Sequence, residues 1–252
     1  LFIFVFNALS FFISGIFESC LNIPAIQLEK TDNTSIVQDL YEGYMYVARD
    51  IRLLIIILIV SVIHFFVGSI EVIIPVLSLK LDGKSAQNLG SMQTALGIGT
   101  SIMAFIISVV SINKKEVKLL FSTIFLLGLL FFFAVGFLVI GFNNALPFMI
   151  TMLLIGSLII LAGTCFKSLI QKNVTQQMMG RVFGLVNSVG NGSIPLSMLV
   201  YGFLLSRFSF NLLLILTGFI LLFLSIVCYW IYKGVSNAKY SQSRACTNRY
   251  EN

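Results

Sequence analysis

Residues 52–79 read RLLIIILIVSVIHFFVGSIEVIIPVLSL. A helix needs about 20 apolar residues to cross a hydrocarbon core, and this run exceeds that with only one histidine and one glutamate inside it. Only helices and closed barrels satisfy every backbone N–H and C=O in lipid, and barrels show short alternating segments instead. The run therefore reads as a membrane-spanning helix.

Similar apolar stretches lie near 1–19, 89–112, 118–142, 146–170, 181–206 and 210–233, separated by short polar joints. The chain is 58% hydrophobic and 10% charged, against about 25% charged for a soluble domain. The fold class is all-α integral membrane, a polytopic helical bundle. The divisions are a helix end at 1–19, a loop at 20–51, a six-helix bundle at 52–233 and a tail at 234–252.

The net charge of +6 is a topology signal, so no nucleic-acid partner is read from it. With the end of the first stretch near Glu18 placed in the cytoplasm, only Lys80, Lys84 and Arg207 among the basic residues fall outside. That bias is the positive-inside rule, and it puts the C-terminus in the cytoplasm of a multi-pass plasma-membrane protein. Heavy use of Ile, Asn and Phe hints at an AT-rich bacterium. Leu1 opens directly on an apolar run with no basic leader, so a signal peptide is not expected; the start reads as a cut through a span, and the chain as a fragment. Cys20, Cys165, Cys228 and Cys246 have no paired spacing and are expected as free thiols. The N-x-S/T matches at Asn33, Asn173 and Asn191 fall inside or in spans and read as chance.

In the long joint, Gln27 to Gln38 is polar and mobile-looking. Ile36, Leu40 and Tyr44 then recur at four-residue spacing, with Asp39, Glu42, Arg49 and Asp50 off that face. This predicts an amphipathic helix along the inner membrane surface or packed on the bundle; the two are compatible. Asp82-Gly83 signals an outer turn, and Pro147 suits a first helical turn. The polar tail after Tyr232 is expected to be disordered.

Ionisable groups in lipid are costly and mark candidate functional positions. His64 and Glu71 are two helical turns apart, on one face, about 10 Å apart along the axis, with Ser61, Gly68 and Pro75 continuing the stripe. A carboxylate and an imidazole there could pass a proton. Glu71 could equally bond a neighbouring helix, and the simpler reading of His64 is an interhelical residue. Gln93, Gly97, Thr100 or Ser101, Ala104 and Ser108 line one side of the third stretch, suited to helix packing, with Gln93 a pathway candidate. Gly156, Gly163 and Lys167 share a face reaching the inner boundary. Gly180, Gly184, Ser188 and Gly192 form a four-spaced small stripe, a close-packing seam. Asn187 and Asn191 beside it serve as interhelical glue or cavity lining. Lys167 and Arg181 could simply snorkel at the inner mouth. No Cys/His cluster, P-loop or carboxylate pair appears, so no enzyme, metal or cofactor is expected.

The run Lys167-Ser168-Leu169-Ile170-Gln171, then Met179-Gly180-Arg181-Val182-Phe183-Gly184-Leu185, then Ser188 and Pro195, resembles the connection between helices ten and eleven of major facilitator superfamily exporters. In particular it looks like the branch of macrolide-efflux and enterobactin-export proteins. Leu40-Tyr41-Glu42-Gly43-Tyr44 looks like the end of that branch's central loop. The resemblance makes the chain the C-terminal six-helix half plus the end of the preceding helix. The turn Asn113-Lys114-Lys115-Glu116-Val117-Lys118 keeps basic charge but departs from the family's glycine pattern.

The resemblance implies a secondary transporter that rocks two halves about a midplane site, with proton-coupled efflux of amphipathic drugs such as macrolides. Siderophore export is the alternative substrate class. The implied partners are membrane lipid, an N-terminal six-helix half and a small amphipathic substrate. On that reading Glu71, with His64, couples protons; Asn187, Asn191 and Gln93 line the pathway; and Arg181 and Lys167 form the inner gate. The rivals are a truncated, non-transporting half and a membrane accessory protein.

Overall fold

The structure, a computed structural model, describes residues 2–21, 36–81, 83, 85–110 and 116–250, with side chains described up to residue 234 except at positions 3 and 36. The described residues form eight α-helices: α1 Phe2–Ser19, α2 Ile36–Arg49, α3 Ile51–Lys80, α4 Ser85–Val109, α5 Glu116–Ile140, α6 Leu146–Asn173, α7 Met179–Leu205 and α8 Phe210–Tyr250. Six are long and apolar enough to cross a membrane: α3 to α7, and α8 through Gly234. They match the apolar stretches to within a few residues. The exception is α8, whose backbone stays helical to Tyr250, where the polar composition predicted disorder. Polar residues still propagate a helix that a long apolar span has already nucleated, because extension costs far less than initiation. The polar stretch 27–35 lies outside the described residues.

Taken by itself, α1 is an 18-residue apolar helix, about 27 Å long, with Phe4, Phe6, Phe11, Phe12 and Phe17 all exposed. The remainder, from Val37 on, is one compact unit. Within it α4 packs on α6, α6 on α5, α5 on α8 and α3 on α7, while α3 also touches α4, α6 and α8. α3 is the most buried span, with 61% of an 18-residue apolar stretch covered, and so forms the core.

Local chemistry sets the helix ends. Asp50 caps α3, its carboxylate accepting the Arg52 N–H at 3.0 Å; this satisfies one of the unpaired N–H groups of the first turn. Pro147 sits in the first turn of α6 as predicted, and Asn144 Oδ1 accepts the Leu146 N–H at 3.2 Å. Gly141 ends α5 with φ +87° and Gly83 turns between α3 and α4 with φ +96°, a region open to glycine at little cost.

Three seams of backbone contact fix the spans, one of them between Gly128 of α5 and Gly218 of α8, where a Cβ on either would stand 2.9 Å from the facing carbonyl oxygen. Gly99 of α4 meets Leu153 of α6, and Gly156 of α6 meets Leu96 of α4; a Cβ at either glycine would stand 2.0 or 2.2 Å from the facing carbonyl oxygen. Ser157 Oγ adds a hydrogen bond to the Gly99 carbonyl at 3.0 Å. On the other side Gly68 of α3 is pressed against Ile194 and Ser197 of α7. Tyr201 of α7 and Thr217 of α8 share a buried hydrogen bond at 2.5 Å. Small residues allow such approaches, and interhelical hydrogen bonds reinforce them.

Candidate functional site

α3, α6 and α7 enclose a cavity of about 240 Å³. From α3 come Val60, Ile63, His64 and Val67; from α6, Gly163, Thr164 and Lys167 with apolar neighbours; from α7, Val186 and Asn187. Three residues that stood out one by one in the sequence, His64, Lys167 and Asn187, thus share one space. Gly163 lies on the face it shares with Lys167.

The local fold explains each placement. His64 is half-buried, and its Nδ1 lies 2.9 Å from the Val60 carbonyl one turn earlier. A carbonyl only accepts, so Nδ1 carries the hydrogen and Nε2 is left as the basic nitrogen. The imidazole lies over Gly190 of α7, where a Cβ would touch the ring at 3.4 Å; only a small residue there lets α7 close on α3 with the ring between them. Thr164 turns its hydroxyl to the Ile160 carbonyl at 2.9 Å. Lys167 is exposed and forms none of the ion pairs among the described residues. The lining contains no carboxylate, so its formal charge is positive.

The other candidates spread over open faces. Glu71 is exposed two turns beyond His64 and does not line the cavity. Gln93 on α4 and Asn191 on α7 are also exposed. None of Glu71, Gln93, Asn187 and Asn191 has a hydrogen-bond partner among the described residues. Gly180, Gly184, Ser188 and Gly192 are exposed too, and a Cβ on any of the three glycines would meet open space. Among the described residues no close approach is made along that stripe; α7 meets α3 through Gly190, Ile194 and Ser197 instead. Likewise α4 packs through Met92, Ala95 and Gly99, leaving Gly97, Ser101, Ala104 and Ser108 exposed.

At the end of the bundle where α3 begins, Arg181 does not simply snorkel. Its Nε donates to Asp39 at 2.9 Å and its Nη1 to Glu42 at 2.8 Å. Gly43 of α2 sits against the Arg181 backbone, and the Thr175 N–H donates to the Tyr46 hydroxyl at 3.2 Å. So α2 docks through Asp39, Glu42, Gly43, Tyr46 and Val47, whereas the Leu40 and Tyr44 stripe is exposed. Nearby, Glu116 of α5 is buried and paired with Lys172 of α6, and Ser168 adds a longer contact at 3.4 Å. Both clusters were missed in the sequence because their partners lie 142 and 56 residues apart. Cys20, Cys165 and Cys228 are free thiols as expected; the side chain of Cys246 lies outside those described.

The family model of the Major Facilitator Superfamily matches residues 2–198. The chain belongs to this superfamily of membrane transporters. No curated protein and no solved structure gives a match. As a superfamily member the chain is a multi-pass membrane protein, and its six long apolar helices are those of an all-α transporter half. Superfamily members are generally transporters, not enzymes. The cavity among α3, α6 and α7 has a charged, hydrogen-bonding wall formed by His64, Lys167 and Asn187.

Proposed function

We propose that the chain is the C-terminal six-helix half of a proton-coupled exporter of amphipathic solutes, working by alternating access against a second six-helix half. The observation that carries this reading is the set of unpartnered polar groups on open faces of apolar spans: Glu71, Gln93, Asn187 and Asn191. Left in hydrocarbon, each would be costly. Water in a solute pathway, or a facing protein half, removes that cost. The two spans with least cover, α4 and α7, have only 17% of an 18-residue apolar stretch buried, against 33% to 61% for the others, and both present bare small-residue stripes to whatever covers them.

On this reading His64 Nε2 and the Glu71 carboxylate are the proton carriers, and Asn187, Asn191 and Gln93 line the pathway. The Arg181 cluster with Asp39 and Glu42 holds the inner mouth, with Lys167 just above it. The end of the bundle where α3 begins faces the cytoplasm of a bacterial cell, as the basic residues direct.

The cavity's charge distinguishes two substrate classes. The resemblance suggests macrolides, whose amine is cationic and gains nothing from a wall whose one formal charge is Lys167. An acidic amphipath such as a catecholate siderophore would pair with that ammonium and accept from the Asn187 amide. This observation favours the siderophore class as the second reading.

Everted membrane vesicles carrying the complete protein test both. Uptake of labelled macrolide or labelled siderophore should be driven by an imposed pH gradient, abolished by a protonophore, and lost in Glu71→Gln. Lys167→Gln should weaken siderophore uptake and spare macrolide uptake. Gradient-independent accumulation, equal with and without the protein, would reject transport and favour an accessory or non-transporting half.

A further inference from the structure

A second concavity lies between α5 and α8. It is a groove of about 430 Å³ lined by Lys118, Phe121, Ser122, Phe125 and Leu126 of α5 and by Ser225, Ile226, Tyr229 and Trp230 of α8. Its chemistry is graded along its length. Phe125, Leu126 and Ile226 form an exposed apolar trough. Towards the start of α5, Lys118 stands exposed at one rim. On the facing helix, Lys233 Nζ lies 6.0 Å from the centre of the Tyr229 ring, and that ring rests edge-on against Phe121. Neither lysine forms an ion pair among the described residues. Trp230 is 71% exposed beside them.

We propose that this groove binds an anionic phospholipid, with the phosphate between Lys118 and Lys233 and one acyl chain in the trough of Phe125, Leu126 and Ile226. Charge complementarity selects this occupant. Lys118 in the lining and Lys233 beside the lining residue Tyr229, with no carboxylate in that lining, meet a phosphodiester, and basic pockets between transmembrane helices hold anionic headgroups. Trp and Tyr favour the level of the headgroups, so Trp230 and Tyr229 set the depth at which the phosphate sits. The neighbouring crevice between α3, α5 and α8, about 360 Å³ and lined by Ile55, Leu58, Leu221 and other apolar groups, has no cation. It could take a chain but not choose a headgroup. The groove is separate from the solute cavity and does not depend on the transport reading.

Trp230 is the only tryptophan in the chain, which makes it a built-in reporter. The full chain is placed in nanodiscs containing phosphatidylglycerol or phosphatidylcholine with brominated acyl chains, and quenching of Trp230 gives relative association constants. Each lysine near the surface contributes about 1 kcal/mol to anionic lipid binding, roughly fivefold. Brominated phosphatidylglycerol should therefore win by roughly twentyfold, and Lys118→Gln or Lys233→Gln should each cut the preference about fivefold. Both lysines are exposed, so unchanged circular dichroism is expected for both variants. Equal quenching by the two lipids, or a preference intact in the double variant, would overturn the proposal. So would loss of the preference on adding millimolar inorganic phosphate, which would show a site for free anion only.

Discussion

Replacing Gly99 by alanine adds one methyl group where α4 and α6 touch backbone to backbone. That Cβ would stand 2.0 Å from the Leu153 carbonyl oxygen and 2.8 Å from its carbon, whereas ordinary contact begins at 3.4 Å. Because the opposing atoms are backbone, no side chain can swing aside, and the helices must part by about 1.4 Å. A gap of 0.5–1 Å already forfeits a quarter to a half of each dispersion contact, and overpacking of this kind costs about 1–3 kcal/mol. The Ser157 bond to the Gly99 carbonyl, now 3.0 Å, stretches with it and adds about 1 kcal/mol. A loss of about 3 kcal/mol corresponds to a drop of roughly 6–12 °C in Tm for a domain of this size. The assay is the fraction of monodisperse protein left after heating in detergent, read by size exclusion. Gly97→Ala is the control: nothing lies within 4 Å of its Cβ, and alanine favours the helix by up to about 1 kcal/mol, so its Tm should hold or rise. Equal melting of the two variants would refute the seam.

Further outcomes follow from the same contacts. Arg181→Ala, with Asp39→Asn and Glu42→Gln in a double-mutant cycle, should show coupling of about 0.2–1 kcal/mol per pair, read as faster hydrogen exchange in α2; zero coupling would show that α2 is held by other contacts. Lys172→Ala strands the Glu116 carboxylate, whose side chain is 8% exposed, and should cost about 1–3 kcal/mol in the thermal assay. Adding Glu116→Gln should recover part of that loss. Gly190→Leu puts a side chain into the 3.4 Å clearance beside His64 and should abolish substrate binding, whereas Gly192→Leu, with nothing within 4 Å, should leave binding within the cavity intact.

The spans were legible because crossing lipid demands a long apolar run, a signal that survives without knowing any partner. Polar exceptions were legible for the same reason: His64, Lys167 and Asn187 each violate the apolar rule, and the fold brings them to one cavity. Which neighbour a small residue meets was not legible. Gly180, Gly184 and Gly192 carry the spacing of a seam, yet the contacts are made by Gly190 and Gly68 on one side and by Gly99 and Gly156 on the other. Spacing reports which residues share a face, while the partner is set by tertiary packing. The same distinction explains α2, whose Leu40 and Tyr44 stripe marks an apolar face but does not say that Gly43 and Val47 would be the face buried. Arg181 with Asp39 and Glu116 with Lys172 needed the three-dimensional fold, since charge alone does not choose among distant partners.

On the proposed function, the space bordered by His64, Lys167 and Asn187 is a water-filled solute pathway. Asn187→Cys and Lys167→Cys, in a background with Cys20, Cys165, Cys228 and Cys246 replaced by serine, should react in intact membranes with a membrane-impermeant maleimide. Addition of substrate should slow the reaction, and Phe223→Cys, on an exposed apolar face of α8, should not react. Failure of both pathway cysteines to label from either side of the membrane, with labelling no greater than at position 223, would contradict the account.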